Sequence, residues 1–283
     1  MRFVHTFWSK PLYNNKFNTF NNSLNTLLSN YGYSAVCIHA LGEKIILYAD
    51  AKGAELLSFI PYDEVIIVDN LENESVHCAA QIKFEALKQY QEGDVIIDGD
   101  LFIQNNKSLD FIKNYKGDIL YSFFEPATFV LNGFNIYNFS HLMISLSNVK
   151  FKEGYKLPTY FREIGWPNTS LMKFNNKYAL QEYIEQYEYH KKYISDIDFQ
   201  TSWPDIIIEQ YFLKLLCENN GYIYEPVIHG YPDEKSNEYA IEIGFTHLGS
   251  NKLKYLNLFN EKFKQLNPEQ YYAYLETYNK YAI

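Results

Sequence analysis

Ten residues, Asp94 to Ile103, constrain this chain more than any others; they read DVIIDGDLFI. Val95, Ile96 and Ile97 form an apolar β-branched run, which suits a strand covered on both faces. Leu101, Phe102 and Ile103 form a second apolar run directly after Asp98, Gly99 and Asp100. Two carboxylates set against buried strand are costly without a counter-charge. At i and i+2 of an extended chain they project to the same side. Gly99 between them leaves room for a bulky group to approach. The simplest arrangement is one divalent cation shared by both carboxylates at a sheet edge. Carboxylate oxygens suit magnesium or manganese there, with bound phosphates completing the shell. Asp-Gly-Asp is also good turn chemistry, but the apolar runs on both sides argue against an exposed hairpin tip.

The chain around this stretch alternates. Arg2 to Trp8 reads as a strand, with His5, Thr6 and Trp8 toward its carboxyl end. Phe17, Phe20, Leu24, Leu27 and Leu28 follow at helical spacing, with Gly32 a plausible stop. Ser34 could cap a second short helix through Leu41, or that segment could be a strand. Ile45 to Ala49 reads as a strand, Ala54 to Ile60 as a short helix before Pro61, and Glu64 to Val68 as another buried strand. Ser75 to Tyr90 reads as a helix ended by Gly93. Asp50 and Asp69 stand where they could cap the helices after them. Strand and helix in alternation predict a mostly parallel, Rossmann-like central sheet flanked by helices. Ligands bind beyond the carboxyl ends of such strands, where Trp8, Asp50, Asp69, Asp98 and Asp100 would gather.

Beyond Ile103 the pattern is less regular. Ile119 to Phe124 reads as a strand, and the chain to Tyr160 as loops and short apolar pieces. Phe161 to Phe174 holds a turn at Trp166-Pro167, then Asn168 leading into apolar residues. Ala179 to Ile194 reads as an amphipathic helix, and Pro204 suits the first turn of another carrying Ile207 to Leu216. Ile241 to Phe245 reads as a late strand before Thr246 to Lys252, and a last helix starts near Pro268. No linker, repeat or low-complexity block divides the 283 residues. The reading is one domain, with 1–103 as a nucleotide-binding half and 104–283 completing the site and taking the acceptor.

Composition narrows the function. The net charge is −9 with no basic run, so the positive footprint that nucleic-acid binding needs is missing. An acidic protein that handles phosphates needs a cation to mediate. Three cysteines, Cys37, Cys78 and Cys217, lie far apart without metal-ligand spacing, as expected of free thiols in a reducing compartment. The first residues lack the apolar core of a signal peptide and no stretch reaches membrane-span length, so a cytoplasmic protein is the expectation. The 27 tyrosines and 21 phenylalanines could serve a sugar-stacking surface, or reflect only an AT-rich coding sequence.

A second cluster lies far downstream, in FTHLGSNK. His247 is a candidate metal ligand, Gly249 permits close backbone approach, and Lys252 is a point charge for phosphate. Each also has a plainer reading, a core histidine and a solvated lysine. Taken together, the chain resembles the GT-A-fold glycosyltransferases, and glycosyltransferase family 8 most closely. A helix bearing Lys83 precedes the Asp98-Gly99-Asp100 motif. Asn168 enters a strand, Glu209 and Gln210 stand on a later helix, and His247, Gly249 and Lys252 close the series. The chain departs from the family in having Leu248 alone between His247 and Gly249, and Leu253-Lys254 after the lysine.

The resemblance implies a GT-A-like single domain and a metal-dependent transferase. Asp98, Asp100 and His247 would hold Mn2+ or Mg2+ across the diphosphate of a nucleotide-sugar donor, a UDP-sugar by family analogy. Lys83 and Lys252 would add charge to the phosphates. Asn168, Glu209 and Gln210 would face the donor sugar, and His5, Thr6 and Trp8 the base. Transfer would proceed with retention, to a glycan, lipid or protein acceptor. The alternative is a catalytically inactive relative that binds a nucleotide sugar or glycan.

Overall fold

The computed structural model describes residues 1–13, 24–74, 78–125, 166–194, 207–229, 234–249 and 252–282. Seven strands form one sheet. Strand β1 (Arg2–Phe7) pairs in parallel with β2 (Lys44–Ala49) on one side and β4 (Asp94–Ile97) on the other. β3 (Glu64–Ile67) adds to β2, also in parallel. β2 and β4 are buried apolar runs of the sequence, and β4 is covered on both faces as its composition requires. At the amino end of the β1–β4 pair, Arg2 grips Asp94 with two charged hydrogen bonds of 2.8 and 2.7 Å, fixing the register at Arg2↔Asp94.

The sheet continues through β7 (Trp166–Phe174), β6 (Ile119–Glu125) and β8 (Tyr224–Ile228), in the order β3-β2-β1-β4-β7-β6-β8. β7 runs antiparallel to both of its neighbours, and the other strands share one direction. The reversal has a functional consequence. The carboxyl ends of β4 and β6 and the amino end of β7 all arrive at one edge, where Asp98 N donates to Ser170 O at 2.8 Å.

Alternation along each strand divides the core into two layers. Val4, Ile46, Ile96 and Met172 face one cluster, with α4 (Gln81–Lys88), α6 (Lys177–Ile194) and α7 (Phe212–Asn220). Phe3, Leu47, Val95, Ile97 and Leu171 face the other. That side carries α2 (Leu24–Ala40), α3 (Ala51–Leu56) and α5 (Asn106–Asn114). It also carries α9 (Lys252–Leu266) and α10 (Pro268–Tyr281). The remaining helices are α1 (Lys10–Tyr13) and α8 (Glu234–Ile243). The expected α/β fold with a mostly parallel sheet flanked by helices is the one observed. A two-stranded ribbon of β5 (Leu101–Ile103) and β9 (Phe245–His247) stands apart from the main sheet.

Several local expectations are corrected. α2 runs unbroken through Gly32 and Ser34, so neither a stop nor a second element begins there. Gly32 serves packing: a Cβ would meet the Phe263 ring at 2.6 Å and Phe59 at 3.0 Å. β3 is an edge strand, with Val65 47% and Ile67 42% exposed, not a buried one. Asp50 does cap α3 through Gly53 N, whereas Asp69 opens a short 3-10 turn without capping it. No turn stands at Trp166-Pro167; both lie in β7. Pro167 pairs with Phe124 of β6, at the amino end of β7, beyond the residues that pair with β4. Ile241 belongs to α8, and the late strand begins at Phe245.

The expected helix over Ser75 to Tyr90 is seen as α4. Residues 75–77, Phe17, Phe20, 126–165, Pro204, Ser250 and Asn251 lie outside the described residues. Among those described, no helix is long and apolar enough to cross a membrane, and the three cysteines are buried and not disulfide-bonded.

Gly32→Ala tests the close approach of α2 and α9. Helix propensity alone would favour alanine by about 1 kcal/mol. The ring contact reverses the sign, and a net loss of about 1–2 kcal/mol is expected in urea unfolding.

Candidate metal and donor site

β4 ends at Ile97, and the chain turns at once: Leu101 N bonds back to Asp98 O at 3.0 Å. The two aspartates therefore sit on a tight turn between two sheets and not on extended chain as expected. Gly99 admits something bulky, as the sequence suggested, but the occupant is the protein itself. A Cβ there would lie 2.3 Å from the ring of Tyr31. Asp98, its side chain 36% exposed, faces outward, while the Asp100 side chain is 9% exposed.

His247 reaches this turn through backbone pairing. β5 and β9 are antiparallel with Ile103↔Phe245, Phe102↔Thr246 and Leu101↔His247. Leu248 N then donates to Asp100 O at 3.1 Å. Gln104 fastens the ribbon to α2, donating to Tyr33 Oη at 2.9 Å and accepting from Thr246 Oγ1 at 3.2 Å. The result is that His247 Nε2 lies 3.5 Å from Asp100 Oδ2. Gly249, with φ 50°, turns the chain beside the imidazole.

Among the described residues, Asp98, Asp100 and His247 form the one group of three or more acidic, histidine or cysteine side chains whose donor atoms converge, all within 4.8 Å. Two carboxylates and an imidazole suit a hard divalent cation. A shared ion at ~2.1 Å from each donor sets neighbouring donors about 3 Å apart, which small side-chain rotations reach. Asp100 Oδ2 is buried and meets the cationic Lys252 Nζ and the His247 imidazole, a setting that also suits a metal-bound carboxylate oxygen. The residues fit the ion.

Two lysines flank the group. Lys252, the first residue of α9, places Nζ 3.1 Å from Asp100 Oδ2. Burial alone would raise the Asp100 carboxyl; Lys252 and His247 outweigh it and hold it below its ordinary value. Lys83, buried on α4, lies 3.1 Å from Asp98 Oδ1 and 2.5 Å from Glu209 Oε1, and donates to Thr169 O at 3.2 Å. Its three protons are engaged, so Lys83 holds carboxylates in place and offers no free donor to a phosphate. Burial would lower its pKa, but Asp98 and Glu209 together raise it. One ammonium serves two acids, and burial leaves the Glu209 carboxyl raised despite Lys83.

Glu209 and Gln210 sit on a π-helical turn, Ile207–Tyr211, that precedes α7. Tyr183 Oη donates to Glu209 O at 2.8 Å, and Gln210 Oε1 is buried with no hydrogen bond. Asn168 is fixed at the amino end of β7. Its Oδ1 accepts from Ser170 N at 2.9 Å and Ser122 Oγ at 2.8 Å, and its Nδ2 donates to Glu125 at 2.8 Å.

Glu125 is the acid that the sequence reading missed. It ends β6, burial raises its pKa against Asn168, and His247 is close enough to lower it in part. The signal was present: Glu125 follows a strand as Asp50, Asp69 and Asp98 do.

The three residues expected near a base are placed otherwise. His5 is fully buried with both ring nitrogens engaged, by Tyr62 Oη and Ser34 Oγ. Thr6 gives its carbonyl to Tyr31 Oη at 2.7 Å. Trp8 packs in the core with Val4 and Tyr48. The structure thus gathers Asp98, Asp100, His247, Lys83, Lys252 and Glu209, with Gln210 on the same π turn, Asn168 at the same sheet edge and Gly249 beside the imidazole. His5, Thr6 and Trp8 stay beneath.

Residues 1–120 match a family of unknown function, DUF6734. No curated protein matches the chain in sequence. Among solved structures, a galactosyltransferase, LgtC, in complex with donor and acceptor sugar analogues aligns over 73% of this chain and 69% of that chain. The identity is 9% and the TM-score 0.34.

Lys83→Met would strand Glu209 and Asp98 without their cation, and a loss of about 3 kcal/mol is expected near pH 7. Glu209 is already raised above 4.5, and the variant raises it further. A raised acid contributes stability below its unfolded pKa and loses it as pH rises through the folded one. The gap from the unmutated protein should therefore be smallest near pH 4.5 and widen upward, as followed by urea unfolding across pH.

Proposed function

We propose that this chain is a metal-dependent glycosyltransferase of GT-A-like architecture. It moves a sugar from a nucleotide-diphosphate donor, a UDP-sugar, to a glycan, lipid or protein acceptor with retention of configuration. The observation that carries the reading is the convergence of Asp98, Asp100 and His247 beyond the carboxyl end of β4, with Lys252 beside them. Ligand sites lie at such edges in open α/β sheets.

Asp98, Asp100 and His247 would hold Mn2+ or Mg2+. When bound there, the metal supplies Lewis-acid neutralisation of the charge on a leaving nucleoside diphosphate. Lys252 adds a mobile positive charge for the same phosphates. Lys83 keeps Asp98 and Glu209 in place. Gln210, with a buried and unpartnered carbonyl oxygen, accepts from a donor-sugar hydroxyl, with Glu209 and Asn168 at the same wall. Residues 1–103 form the nucleotide half and 104–283 complete the site. The scattered, buried thiols, none of them disulfide-bonded, support a cytoplasmic setting.

Incubation with Mn2+ and a panel of nucleotide sugars is expected to release nucleoside diphosphate, measured by a coupled assay, and chelation is expected to stop it. Asp100→Asn should cut the rate at least about 100-fold, beyond what loss of an outer-shell partner costs, while the metal-free melting temperature stays close to that of the unmutated protein. Neither turnover nor metal-dependent donor binding with any member of the panel would overturn the reading.

A further inference from the structure

The turn at 98–101 rests on α2. Tyr31 lays its ring against Gly99 where a Cβ would otherwise stand, and its hydroxyl donates to Thr6 O on β1 at 2.7 Å. One helical turn on, Ser34 Oγ donates to Leu101 O at 2.7 Å. That carbonyl belongs to the residue directly after Asp100.

The direction of the remaining bonds follows. Ser34 has one proton and spends it on Leu101, so its 3.0 Å contact with His5 Nε2 has the ring N–H as donor. His5 Nδ1 is then the acceptor and takes the Tyr62 hydroxyl at 2.9 Å. The chain runs from Tyr62 through His5 and Ser34 to Leu101. His5 and Ser34 are 0% exposed, and burial pushes the imidazole pKa down to about 3, with His39 adding to it. The ring stays neutral and its tautomer is fixed. The rings of His5 and Tyr31 also meet edge to face at 5.0 Å. Four polar groups inside an otherwise apolar layer, all satisfied, specify one arrangement where apolar side chains would allow several.

We propose that Ser34 and Tyr31, oriented by His5 and Thr6, are positioning residues that preset the acidic turn for its cation and so govern metal affinity without touching the metal. The proposal rests on Asp98, Asp100 and His247 being the metal site. It gives His5 and Thr6, buried beneath the turn, a role in holding it.

The test is a Mn2+ titration of the full chain, read from the electron paramagnetic resonance of free and bound ion. Ser34→Ala is expected to bind Mn2+ about tenfold more weakly than the unmutated protein, and Tyr31→Phe, which keeps the ring, about threefold. Ser34→Thr keeps the hydroxyl and should return the affinity to within about twofold, which a simple packing defect would not do. If Ser34→Ala does not fold, Tyr31→Phe carries the test alone. Unmutated protein that binds Mn2+, with both variants binding equally well, overturns the positioning role by itself. Unmutated protein that binds no Mn2+ overturns the metal site and this proposal together.

Discussion

Backbone pairing between two short strands carries the site. Leu101 lies opposite His247 in the β5–β9 ribbon, and Leu248 N closes onto Asp100 O. Side chains in a strand alternate faces, so a slip of one residue would turn the imidazole away from the carboxylate. The ribbon is too short to be stable alone. It holds because α2 lies beneath it, through Phe102 against Tyr33 and through Gln104 bonded to Tyr33 and Thr246. A helix from the first part of the chain thus fixes where a histidine from the last part stands.

Charge explains why this edge is suited to a cation. Asp98, Asp100 and Glu209 face Lys83 and Lys252, and Lys83 is shared between two of the acids. His247 is neutral as a ligand, so the acids outnumber the ammonium groups. Burial sharpens the imbalance, because an unmatched carboxylate there has little water to turn to. A divalent ion would bring the balance past neutral, and a diphosphate would return it. The reversed strand β7 adds the wall of this space, with Asn168 locked by Ser122, Ser170 and Glu125.

Much of this was legible in the chain because it depends on local pattern. The strands β1, β2, β4 and β6 read correctly, since a strand covered on both faces is mostly apolar. The acidic turn and His247, singled out together in the sequence, are brought together by the fold. What escaped depends on partners distant in sequence. Gly32 looked like a helix stop because glycine is costly inside helices, yet a ring from α9 claims the space. The run Glu64 to Val68 looked buried, but among the described residues β3 has no strand on its outer side. Ile241 suggested a strand, although it is an exposed residue of α8. His5 looked like a binding residue because it stands toward the carboxyl end of a strand and the family resemblance pointed there; its partners, Tyr62 and Ser34, come from other elements. Pro167 signalled a turn, and a strand that outruns its neighbour's ladder accommodates it.

Anomalous diffraction at the manganese edge from crystals grown with Mn2+ tests the central claim most directly. The account requires one peak bounded by the carboxylates of Asp98 and Asp100 and by Nε2 of His247. Crystals without a peak there, or with the ion held elsewhere while those three side chains keep the distances described, would contradict it.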